Sequence, residues 1–169
     1  MTETREEAVT ILEDGHRAVR ELIGLLPAPA LISPGVGGGE WSPKDLIGHL
    51  TSWEEFALEA LEAWGRDERA PIDRDLATRG LNAVNAGAVA TKAKLSVDEI
   101  KHDSDVAHAT LIDAIRETTD ARWEGPATKR SRKSLGHRVG QILGGPAGGF
   151  RHAEAHLASL ASLVDQQRA

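Results

Sequence analysis

Residues 42–65, SPKDLIGHLTSWEEFALEALEAWG, read as one long amphipathic helix, and that reading sets the class of the chain. Ser42 offers a side-chain oxygen to the unpaired N–H groups of the first turn. Pro43 suits the first helical position, where no N–H is needed, and Asp45 places negative charge at the positive end of the helix dipole. Leu46, Leu50, Trp53, Ala57, Ala60 and Trp64 then mark a continuous stripe along one face, and Gly65 stops it. The helical period recurs on both sides. Before it, Ala8, Ile11, Leu12, Ala18, Val19, Leu22, Ile23 and Leu26 form one face of a helix that Pro27 and Pro29 end. After it, Ser96-Val97-Asp98-Glu99 is a capping box opening a helix that carries Ile100, Val106, Ala107, Leu111, Ala114 and Ile115 to near Thr118. A last helix is expected from near Pro146, with Phe150, Ala153, Leu157, Leu160 and Val164. Shorter helices are expected over 76–92 and around 135–143, with polar loops at 66–75 and 120–134. No strand alternation of useful length is found. The expectation is an all-α chain: a four-helix bundle with one or two short extra helices.

The chain has 169 residues, which favours a single domain over 1–169 and suffices for a proper core. It contains no cysteine, which excludes disulfides, thiolate nucleophiles and cysteine-ligated metals. Hard chemistry is left to seven histidines, the carboxylates and the hydroxyls. The formal net charge of −6 is not the footprint expected of a protein that coats DNA, and no nucleic-acid partner is expected. The N-terminus, MTETREEAVT, is charged from its third residue and lacks an apolar core. The longest apolar stretch, Leu22 to Ile32, is interrupted by two prolines and is too short to span a bilayer. No membrane association is expected, and the cytoplasm is the default location.

His152 and His156, four residues apart in the expected last helix, place two imidazoles on one side, about one turn and roughly 40° apart. They read either as a metal-ligand pair or as two boundary histidines of an amphipathic helix. His49 lies beside the stripe of Leu46, Leu50 and Trp53, and reads either as a hydrogen-bonded core residue or as a third ligand. If the two helices are neighbours, all three rings point into one cleft. Three neutral imidazoles would leave a divalent cation with its charge and with open coordination positions, the arrangement of a catalytic rather than a structural site. Such ligands suit Zn, Ni, Fe or Cu. Of the other histidines, His16 reads as exposed, His102 and His108 as lying on different sides of their helix, and His137 either as a residue supporting the metal ligands or as solvated.

Two segments resemble those of a known family. EWSPKDLIGHLTSWEE, with Trp41, Ser42 and His49, is similar to the early signature of the DinB-like superfamily, and FRHAEAHLASL is similar to its closing His-x-x-x-His helix. The order and distance of the segments agree over essentially the whole chain. The resemblance implies an up-down-down-up four-helix bundle, often a homodimer, with a divalent metal on a histidine triad mapping to His49, His152 and His156. Relatives include bacillithiol transferases, mycothiol-dependent maleylpyruvate isomerase and colibactin self-resistance hydrolases. Transfer of a low-molecular-weight thiol, or hydrolysis, on a small-molecule electrophile is therefore the implied chemistry. The chain departs from the pattern at Ala153, where relatives often carry an aromatic residue, and in the glycine-rich run GGPAGGF just before His152, which leaves the start of the last helix unfixed. No general base is assigned. The rival reading is a non-catalytic helical bundle that binds a small ligand or a protein partner.

Other residues stay open. Trp53, one turn beyond His49, either walls a substrate pocket or packs in the core. Asn82 and Asn85 face either the cleft or solvent, and Trp41 is expected to pack beside its helix terminus. The basic run Lys129, Arg130, Arg132 and Lys133 reads as a solvated loop or as a clamp for an acidic ligand. No aromatic residue interleaves with it to stack on bases.

Overall fold

The computed structural model describes residues 2–169, which are helical throughout apart from connecting turns and one isolated bridge between Pro126 and Ser134. The elements are α1 (Arg5–Gly24), α2 (Ala28–Leu31), α3 (Pro43–Gly65), α4 (Pro71–Arg79), α5 (Leu81–Lys92), α6 (Val97–Glu117), α7 (Asp120–Glu124), α8 (Leu135–Ile142) and α9 (Glu154–Arg168). Short 3-10 turns cover Val36–Gly38 and Gly145–Ala147. The four long helices α1, α3, α6 and α9 make the bundle. The most extensive pairing is α3 with α6, α1 lies against both α6 and α9, and α4, α5 and α8 pack on α3.

The caps expected from sequence form. Ser42 accepts from the Asp45 N–H while the Asp45 carboxylate accepts from the Ser42 N–H, and Ser96 and Glu99 make the same reciprocal pair. Thr4 and Glu7 add a third capping box at the start of α1. Each satisfies helix-end N–H groups that would otherwise be unpaired. Two apolar clusters fill the bundle. One gathers Trp53, Trp64, Leu111, Ile115, Trp123 and Phe150; the other gathers Ile23, Leu46, Ile47, Ile100 and Leu160.

Three boundaries differ from expectation. The segment read as one helix over 76–92 is two, because Gly80 takes φ +80°, a conformation that breaks the helical hydrogen bonding between α4 and α5. The expected polar loops at 66–75 and 120–134 each contain helix, the start of α4 and all of α7. The last helix begins at Glu154, not near Pro146; the glycines of GGPAGGF turn the chain first, with Gly145 at φ +53° and Gly148 at φ +79°. Phe150 itself sits at φ +62° and is 2% exposed. Its left-handed backbone costs about 1–2 kcal/mol, held in place by packing: its ring lies on Trp123 with centroids 5.9 Å apart. Backbone bonds from the Phe150 N–H to Gly140 O and from the His152 N–H to Leu143 O tie this segment to the end of α8.

Candidate metal centre

His49 projects from the second turn of α3 and is 4% exposed; His152, in the turn just before α9, is 8% exposed. His156 lies in the first turn of α9 and is half-buried. Although His152 precedes the helix, the Ala155 N–H donates to Arg151 O, so the chain already winds helically there and keeps the two rings on one side. The structure brings all three together. His49 Nε2 and His152 Nε2 are 2.9 Å apart, and the His156 ring centroid lies 5.4 Å from that of His49 and 5.2 Å from that of His152. One nitrogen of each falls within 4.8 Å of the others.

Burial pushes the pKa of His49 down to about 3, with the neighbouring His152 and His156 adding like-charge repulsion. His152 is lowered to about 4 by burial and then by His156, and burial lowers His156 as well. All three rings are thus neutral near pH 7, with lone pairs available to a cation. His49 Nδ1 and His156 Nε2 are buried with no hydrogen-bond partner. His49 meets His152 through Nε2, so its unpaired Nδ1 faces away from the convergence, whereas the unpaired His156 Nε2 is costly unless a further group satisfies it; the donor set matches that of a three-histidine metal site.

The three rings line a cleft of about 680 Å³. Trp41 leans on His49 at 4.6 Å between centroids, and Trp53 meets His152 edge-on at 6.0 Å. Both indoles line the cleft, so Trp41 does more than pack beside its helix terminus. The Trp53 Nε1–H donates to Asn85 Oδ1 at 2.9 Å, which fixes both side chains. Asn85 lines the cleft, whereas Asn82 is exposed. Further along the wall, Arg138 Nη2 donates to Asp73 Oδ2 at 2.6 Å, and its guanidinium lies 5.3 Å over the Trp64 ring. Sequence reasoning missed this pair. Asp73 and Arg138 are 65 positions apart, and only the packing of α4 and α8 on α3 joins them.

Of the other histidines, His102 is exposed and His108 buried, on different sides of α6 as expected, while His16 and His137 differ from expectation. His16 is half-buried rather than exposed, stacked on His108 at 4.0 Å with the rings 5° from parallel. His16 Nε2 pairs with Asp105 and His108 Nδ1 with Glu54. His16, Glu54 and His108 each offer a ligand atom within 4.8 Å of the others, a second group of the kind that can hold an ion, and each ring also pairs with a carboxylate in a hydrogen-bonded network between α1, α3 and α6. His137 carries a buried, unpartnered Nε2 instead of a solvated one. In the basic loop, Lys129 donates its backbone N–H to Asp67 and leaves its side chain 88% exposed.

A family model described as the DinB superfamily matches residues 7–160. No curated protein matches the sequence. Among solved structures, a protein from Escherichia coli UTI89 described as uncharacterised superposes with a TM-score of 0.82 at 12% identity, over 99% of this chain and 96% of its own. The colibactin self-resistance protein ClbS, crystallised in complex with dsDNA, gives 0.74 at 12% identity, over 100% and 98%. A mutant of mycothiol-dependent maleylpyruvate isomerase gives 0.67 at 18% identity, over 94% of this chain and 61% of its own. At these identities the likeness is one of fold. It nonetheless corrects one expectation. The exclusion of nucleic acid rested on the −6 charge and on the lack of aromatics in the basic loop, yet a chain of this fold is crystallised on DNA. Net charge sums the whole surface and says little about any one face of it.

Proposed function

The chain belongs to the DinB superfamily, and on that footing we propose that His49, His152 and His156 hold a divalent metal ion at the floor of a substrate cleft, making the protein a metal-dependent enzyme acting on a small electrophile. The supporting observation is the convergence of three neutral imidazoles, two of them buried, with one nitrogen of each within 4.8 Å of the others and His156 Nε2 left without a partner. A bound Zn, Ni or Fe ion would supply Lewis acidity, lowering the pKa of a coordinated thiol or water. The chain's own contribution is placement and dryness. Trp41 and Trp53 wall the rings on the cleft side, and Asn85 fixes the Trp53 indole. Among the described residues lining the cleft the only carboxylate is Asp73, which Arg138 occupies, so the chain offers no free general base there. That favours transfer of a low-molecular-weight thiol, or hydrolysis, in which the activated group itself is the nucleophile. The maleylpyruvate isomerase neighbour is named for its dependence on mycothiol, which agrees with the thiol reading.

The test is elemental analysis of protein purified without an affinity tag. Near-stoichiometric metal is expected, and His156→Ala should remove it. Metal-free protein whose stability is indifferent to added metal would instead support a non-catalytic bundle that binds a ligand or partner. A screen with bacillithiol, mycothiol and glutathione against small electrophiles then decides between thiol transfer and hydrolysis. A homodimer is proposed on family grounds, and light scattering of the eluting protein tests it.

A further inference from the structure

Among the described residues Arg138 is the only lysine or arginine lining the cleft, at its border with a neighbouring pocket that Trp64 also lines, and most of its donors are unspent. A guanidinium carries five N–H groups; one goes to Asp73, and no other acceptor among the described residues takes any. One face is covered by Trp64, which leaves the edge of the fork as the available recognition surface. Asn85 also lines the cleft: its carbonyl oxygen is taken by Trp53, and its amide N–H₂ is the group it has left to donate. Apart from Gln141 on α8, the wall near these groups is apolar or aromatic, from Trp41, Trp53, Leu76 and Ile142. A volume of about 680 Å³ suits a small organic molecule. Unspent donors facing apolar walls call for a ligand rich in acceptors at one end and poor in them along its body.

We propose that the cleft takes a small apolar or aromatic carboxylate, with its carboxylate on the guanidinium edge of Arg138 and its body between the two indoles and the aliphatic wall. Arg138 is then the residue that sets specificity for the anion. Asp73 holds the fork in place and, as a resident anion, tempers its affinity. The planar fork matches a carboxylate in two parallel hydrogen bonds, which a neutral isostere cannot reproduce. This rests on the cleft being the substrate site, as proposed above, but not on the ion.

The experiment compares 3-phenylpropionate with 3-phenylpropionamide, read by titration calorimetry and quenching of tryptophan fluorescence, on protein as purified and after exhaustive treatment with chelator. The carboxylate should bind at least about tenfold more tightly than the amide in both states, the scale of one charge-assisted pair. Arg138→Gln should bring the ratio close to one, and Arg138→Met, which keeps the stem packed on Trp64, serves if the first variant fails to fold. Asp73→Asn should tighten the carboxylate at least about threefold. The assignment is overturned if neither probe binds, if wild type does not distinguish them, or if the preference survives loss of Arg138. A preference that disappears only on metal removal also overturns it, because the anion then sits on the ion. Metal content measured on the same samples keeps the two readings apart: discrimination by protein that never binds metal sinks the metal reading alone.

Discussion

Single side chains decide whether the three rings meet. Gly145 is the sharpest case: a Cβ there would stand 2.6 Å from Cδ2 of His152, on a backbone already at φ +53°. Gly145→Ala is therefore expected to displace His152 and weaken metal binding about tenfold or more while leaving helix content unchanged, read by competition with a chromophoric chelator. His152 and His156 were legible as a pair from their four-residue spacing, and His49 as a possible third ligand beside an apolar stripe. The Arg138–Asp73 pair was not, since nothing local marks two residues whose meeting depends on the packing of separate helices. The same holds for the stacked His16 and His108. Spacing put His102 and His108 on different sides of their helix, but it could not disclose a ring arriving from α1.

Among helices, the well-capped ones were read best. Ser42 is 4% exposed, accepts the Asp45 N–H and donates its own hydroxyl to the Asp45 carboxylate. Ser42→Ala should cost about 1 kcal/mol, seen as a Tm lower by about 2–4 °C in thermal unfolding. Because α3 carries His49 two turns later, fraying at this cap should also lower metal affinity. α3 and α6 have periodic stripes and strong start signals, and α1 has a stripe and a proline stop, so sequence alone located them. The 76–92 segment did not divide on paper because Leu76, Leu81 and Val84 keep a plausible helical spacing across Gly80, and only the glycine's φ of +80° separates α4 from α5. The start of α9 was misplaced for a related reason. Pro146 suits a helix N-terminus, but the glycines beside it favour a turn, and the bonds that settle the matter reach back to α8.

For the molecule as a whole, pH and metal should act on the same three rings. His49 and His152 titrate near 3 and 4 in the folded protein, against 6.5 when unfolded. Below pH 6.5 the unfolded chain takes up protons that the folded chain refuses. Stability of the metal-free protein is thus full above about 6.5 and falls as the pH drops toward 4, by on the order of 1 kcal/mol per pH unit for each ring. Denaturant unfolding across pH 4–8 checks this, and His49→Ala should flatten the slope. Added zinc should raise the unfolding free energy by about 4 kcal/mol at a thousandfold excess over Kd, with chelator reversing the gain. The all-helical class was legible from the period alone. The surface was not: overall charge argued against DNA, and a ClbS structure of the same fold carries it.

The two closing histidines do not share one rigid support. His156 rides on α9, while His152 hangs from a strap whose backbone is knotted to the end of α8 through Gly140 and Leu143. An ion gripping both rings together with His49 would act as a rivet through three separately anchored pieces. Extraction of that ion should then loosen the attachment of α9 while the α3–α6 pair stays fast. Amide hydrogen exchange should quicken in the 144–156 strap, and the middle of α6 should keep its protection.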